Sequence, residues 1–146
     1  MARENLSQMV PVVGAKIIAH ASSSQSVSAT TETIDMSKFG RVMFVLHYGS
    51  HGTGGSAVLT INKGTATSTI TTSVQSVSIA TANKTEIHEV PQDALGVTNR
   101  YVAGTLVHNN GSVTASGASV IVLADLAAYG PGSGDDIAGV TSISVE

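Results

Sequence analysis

Short segments rich in Val, Ile and Thr recur along this chain at roughly ten-residue spacing, separated by Gly, Asn and Ser. No amphipathic pattern of 3.6-residue period persists over about a dozen positions, so long helices are excluded and an all-β fold is expected. The spacing predicts a single-domain β-sandwich or jelly-roll-like body. Composition agrees: Ser and Thr supply roughly a quarter of the 146 residues, 15 are Gly, and the apolar residues are mainly Val, Ile and Ala. A chain of this length is expected to form one domain, able to bury a core without covalent staples.

Individual strands follow from the pattern. Residues 12–20 alternate, with Val13, Ala15, Ile17 and Ala19 on one face and Lys16, Ile18 and His20 on the other. Residues 21–26 read as a loop, and 27–34 as a strand ending at Asp35. Residues 41–48 place Val42, Phe44, Leu46 and Tyr48 on one face and Met43, Val45 and His47 on the other, the signature of a strand inside a sheet. The glycines of 49–55 form a mobile or tight loop ahead of a strand at 57–61. Extended runs at 67–72, 74–80 and 85–90 follow, then a short helical turn within 92–97. A second strong strand covers 100–108. Asn109-Asn110-Gly111 predicts a hairpin returning through 120–124, a run apolar enough to be buried on both sides.

The ends differ from the body. Residues 130–136, Gly-Pro-Gly-Ser-Gly-Asp-Asp, read as a linker. Residues 137–146 then recover β-branched character. The expected organisation is an N-terminal arm at 1–10, a sandwich body at 11–129, the linker, and a C-terminal arm at 137–146. The arms carry the expected inter-subunit contacts: Val10, Pro11, Ile137, Val140, Ile143 and Val145.

Most chemistry is absent from the sequence. There is no cysteine, so disulfides, thiolate nucleophiles and zinc-thiolate sites are excluded. Seven Lys and Arg against ten Asp and Glu, a net charge of −3, give no basic field for nucleic acid. No run approaches the roughly 18 apolar residues of a membrane span, and the first residues lack the apolar core of a signal peptide, which points to synthesis in a cytoplasm. His47 and His51 bracket a turn and could approach one metal, but no third ligand is near in sequence, and strand or loop histidines are the better reading. Glu86 and Glu89 lie three apart on a strand and so point to opposite faces. Asp125, Asp135 and Asp136 do not match a calcium loop, and Gly52-Thr53-Gly54-Gly55-Ser56 is not a nucleophile elbow. The expectation is a non-enzyme with no metal and no cofactor.

Only 12% of the residues are charged, about half the usual share. Sheet edges without charge or proline invite pairing with another chain, so self-association is expected. Two motifs give this a context. Thr33-Ile34-Asp35-Met36-Ser37-Lys38-Phe39-Gly40 leading into Arg41–Tyr48 and Gly49, together with Asn99-Arg100-Tyr101-Val102-Ala103-Gly104-Thr105-Leu106-Val107, resembles strand-and-turn patterns of tailed-bacteriophage capsid decoration or stabilisation proteins. With the apolar strand at 120–123 and the Gly/Pro tail, the resemblance spans most of residues 12–132. It implies a structural virion protein, homo-oligomeric and commonly trimeric. Such a protein binds the outer surface of an assembled capsid, bridges neighbouring major capsid subunits and uses no cofactor. A small tail or head-to-tail junction protein is the second reading, and a host-surface glycan-binding module with its loop at 49–55 is the third.

Overall fold

The computed structural model describes residues 10, 12–20, 22, 24–113 and 116–125. Nine strands run in order: β1 (Val12–His20), β2 (Ser26–Thr30), β3 (Ile34–Asp35), β4 (Arg41–Tyr48), β5 (Ser56–Gly64), β6 (Thr72–Ile79), β7 (Lys84–Pro91), β8 (Tyr101–Asn109) and β9 (Ser116–Ala124). A 3₁₀ turn, Gln92–Leu95, lies between β7 and β8. The strands form two antiparallel sheets, ordered β1-β9-β4-β7 and β2-β8-β5-β6, with the short β3 added to β8.

Pairing is nested: β1 with β9, β2 with β8, β4 with β7, and β5 with β6. The chain is therefore one long antiparallel hairpin, with its tip between β5 and β6, rolled into two layers. This is the strand order of a jelly roll.

Period-2 alternation fills the space between the layers. Val42, Phe44, Leu46 and Tyr48 of β4 are all fully buried, as are Val120 and Val122 of β9. Opposite them lie Leu59 and Ile61 of β5 with Val102 and Leu106 of β8. Gly104 on β8 leaves room for the Phe44 ring, since a Cβ there would stand 2.8 Å from Phe44 Cε1. Each large apolar side chain buried in this way contributes about 1.5–3 kcal/mol.

The fold class, the span of β1 and the bounds of β4 follow the sequence reading, and β4 is an interior strand as expected. Five expectations are corrected. The predicted hairpin at 109–111 does not form: β8 and β9 belong to different sheets, and the turn at Gly111 (φ 61°) carries the chain from one layer to the other. Residues 67–70 are a turn and loop, with β6 starting at Thr72. The expected strand at 27–34 is divided into β2 and β3, because Thr31 turns inward and its hydroxyl accepts the Gly104 N–H at 3.0 Å. The run at 120–124 is buried on one side only: Ile121 remains 44% exposed. In β1 a bulge between Val12 and Gly14 shifts the phase, so Val13 and Ile18 are buried while Ile17 points outward, 78% exposed.

Candidate interaction surface and buried histidine cluster

The outer face of the β1-β9-β4-β7 sheet is apolar along one register row. Ala15 pairs with Ile121, Ile121 with Val45, and Val45 with Ile87, so one side chain from every strand lines up across the sheet. Neighbouring strands lie about 4.8 Å apart, which makes this a stripe about 14 Å long. Ile87 is 59% exposed, and Ile17 extends the stripe on β1. Shallow depressions flank it. One is formed by Val10, Met43 and Leu123 beneath Arg41, Glu89 and Asp125. The other is formed by Ile17, Ala19, His47, Gly117 and Ser119. Arg41 holds the rim of the first through ion pairs to Glu89 and Asp125, both at 3.3 Å.

On the opposite sheet the equivalent row is hydroxylic. Thr30 pairs with Thr105, Thr105 with Thr60, and Thr60 with Ser76. Adjacent hydroxyls are in contact, Thr30 with Thr105 at 3.2 Å and Thr60 with Ser76 at 3.3 Å.

The edges also differ. At the β1 edge Glu32 accepts the Ala15 N–H at 3.1 Å and pairs with Lys16 at 3.7 Å, while β7 carries Lys84, Glu86, Glu89 and Pro91. Both features block strand addition. By contrast β6, Thr72–Ile79, is an edge strand of eight residues with no charge and no proline.

At the end of the sandwich where β1, β4 and β8 finish, a polar cluster is sealed inside. His108 is fully buried, His20 nearly so; their rings meet edge-on with centroids 4.6 Å apart. Buried Tyr48 stands edge-on to His108 at 5.3 Å and stacks on His51 at 4.8 Å. The His51 Nδ1–H donates to the Gly52 carbonyl at 2.7 Å, and His20 Nδ1 lies 3.4 Å from Gln25 Oε1. Among the described residues no partner is found for His20 Nε2, His51 Nε2, the Tyr48 hydroxyl or either nitrogen of His108. Burial pushes the His108 pKa down to about 4, with His20 and His51 adding repulsion, and burial raises that of Tyr48. At the other end Arg100 grips Asp35 with two guanidinium nitrogens. That contact, joined by Ser37, outweighs the opposing desolvation and lowers the Asp35 pKa to about 2. Lys63 Nζ donates to the carbonyls of Ala94 and Leu95 nearby.

Of the residues singled out from sequence as contacts, Val10 lines the depression on the apolar face. Pro11, Ile137, Val140, Ile143 and Val145 lie outside the described residues. His47 and His51 are separated: His47 faces outward with Nδ1 3.0 Å from Thr85 Oγ1, and His51 turns in against Tyr48. Glu86 and Glu89 take opposite faces, as their spacing predicted, the first on His88 at 3.3 Å and the second on Arg41. Among the described residues no three His, Asp or Glu side chains group as a metal site, and no helix is long and apolar enough to cross a membrane. Sequence reasoning missed the His20–His108 meeting because the two residues are far apart in the chain. The alternation in 41–48 and 100–108 did carry a signal, since it puts Tyr48 and His108 on the same faces as core residues.

Fold and surface define an all-β, two-layer jelly roll with one apolar outer face. No family model matches the sequence, and no curated protein matches it. Solved structures of infectious bursal disease virus are similar in part. The Gx strain structure matches with a TM-score of 0.39 and 12% identity over 80% of this chain and 33% of that one. The T=1 particles derived from this virus match with a TM-score of 0.30 and 14% identity over 80% and 37%. The chain thus spans about a third of the length of the structures it matches.

Proposed function

We propose that this chain is a structural, non-catalytic virion subunit without a cofactor, which binds the outer surface of an assembled phage capsid and stabilises it by bridging neighbouring major capsid subunits. The observation that carries the reading is the stripe Ala15–Ile121–Val45–Ile87, an apolar row on a sheet face that no other described element covers. Such a row favours burial against another protein surface. The uncharged β6 edge supports self-association, and the resemblance to capsid decoration proteins implies a trimer. Many weak copies on a repeating shell add up to tight binding. Jelly rolls serve lectins and cupins as well as capsids, so the fold alone does not select the role. A glycan site has less support: among the described residues Phe39, Phe44 and Tyr48 are buried, and Tyr101 is half-buried beside Arg100.

The test is cryo-electron microscopy of particles from the phage that encodes this chain, with its copy number counted. Hundreds of copies on the shell exterior are expected. A few to dozens at the tail or neck would transfer the subunit there, and none in the particle would end the proposal.

A further inference from the structure

The buried histidine cluster belongs to neither outer face and supports an inference independent of the assembly role. We propose that His20, Tyr48, His51 and His108 form an acid-operated latch, which closes one end of the sandwich while the His108 imidazole is neutral and opens that end when His108 takes up a proton.

The geometry provides both parts of a latch. First, the site disfavours a charged His108 ring. In the sheet, His108 is flanked in register by Val27 of β2 and Ala57 of β5, which do not titrate. The titratable groups packed against it are His20 of β1, Tyr48 of β4 and His51 of the 49–55 loop. Among the described residues the charges that act on it are those of His20 and His51, both of the same sign as its own protonated form. An imidazolium needs two acceptors, and among the described residues neither His108 nitrogen has one. A buried cation without a counter-charge or acceptors is expelled towards water.

Second, His108 is connected to the loops that make up this end. Two residues on, fully buried Asn110 ties them together. Its Oδ1 accepts the Gln25 N–H at 2.8 Å, and its Nδ2 donates to the Val113 carbonyl at 2.8 Å. Its own carbonyl accepts the Gly52 N–H at 3.2 Å. The Gly111 carbonyl accepts the Ser24 N–H at 2.8 Å. Displacing His108 outward pulls on Asn110 and releases three loops at once. The opposite end, tied by Arg100 to Asp35 and by the Met36 N–H to the Arg100 carbonyl at 2.8 Å, has no part in this.

The sign follows from linkage. The closed state holds the His108 pKa down to about 4, whereas an exposed histidine titrates near 6.5. The open state therefore binds the proton more tightly. The latch is fully closed above about pH 6.5, and its closing constant falls roughly tenfold per pH unit down to about pH 4. The Asp35 carboxylate responds only below its ordinary value of 3.8, a separate window.

Hydrogen exchange on the full chain between pH 7 and 4.5, expressed as protection factors, tests this. The amides of Ser24, Gln25 and Gly52 are expected to lose protection steeply as the pH falls, while those of Met36 and Arg100 hold. In His108→Phe, which keeps a ring of similar size but cannot titrate, that pH dependence should flatten. Equal loss at both ends, or an unchanged slope in His108→Phe, overturns the latch. Should the variant not fold, a ¹⁵N titration of the wild-type histidines decides: His108 staying neutral to near pH 4 while the end is closed supports it. Protonation near pH 6.5 with loop protection intact overturns it.

Discussion

The two sheets use the same inward grammar and opposite outward ones. Inward, both alternate large apolar side chains into a shared core. Outward, the row Ala15–Ile121–Val45–Ile87 on one sheet corresponds to Thr30–Thr105–Thr60–Ser76 on the other. Hydroxyls exchange hydrogen bonds with water readily and gain little from being covered, whereas exposed Ile and Val gain about 25 cal/mol for each Å² removed from water. The edge strands reverse the assignment: the apolar sheet is guarded by Lys16–Glu32 and the charges of β7, and the hydroxylic sheet leaves β6 open. One layer thus favours face contact and the other favours edge contact, so the molecule can make two kinds of junction without their competing.

The comparison can be broken most severely from within. Phe44→Ala removes the ring that fills the space over Gly104 and should cost about 3–5 kcal/mol, taking both faces with it, as read by thermal or urea denaturation. Ile87→Lys combined with Ile121→Lys sharpens it. Folding stability should change by less than about 1 kcal/mol because both side chains already face water, yet binding to the shell should fall tenfold or more in a sedimentation assay. Full binding by this folded variant would remove the apolar face from the interface. The smallest effect is expected from Thr60→Val with Thr105→Val, which extends apolar character to the second face. Stability should stay within about 0.5 kcal/mol and shell binding should be unchanged; a gain in binding would mean that both faces are equivalent.

Local patterns in the chain were read well where local physics decides. The alternation in 41–48 groups Val42, Phe44, Leu46 and Tyr48 on one face of β4, and that face is the buried one; the turn residues at 49–55 predict a mobile or tight loop, and the loop is tight, closed by the Gly55 N–H on the Gly52 carbonyl at 2.9 Å. Reading failed where a partner far away in sequence decides. Asn109-Asn110-Gly111 has the composition of a hairpin turn, but β8 is claimed by β2 and β5 and β9 by β1 and β4, so the turn joins layers instead. The bulge in β1 sent Ile17 outward and Ile18 inward, a phase change no period-2 pattern anticipates. Of the contact residues expected from sequence, Val10 falls on the apolar face, while nothing in the alternation singles out the exposed Ile17 and Ile87 that build that face, and Ile121 falls in a run expected to be buried on both sides.

By itself the amino-acid order determined that this would be an extended, twisted, low-charge chain with turns at regular intervals, because side-chain branching and backbone freedom act within a few residues. Which strands became neighbours, which apolar side chains aligned across four of them, and that His20, His51 and His108 would meet at one end of the sandwich were decided only when the hairpin rolled up, since those relations depend on register between segments that can be more than a hundred positions apart.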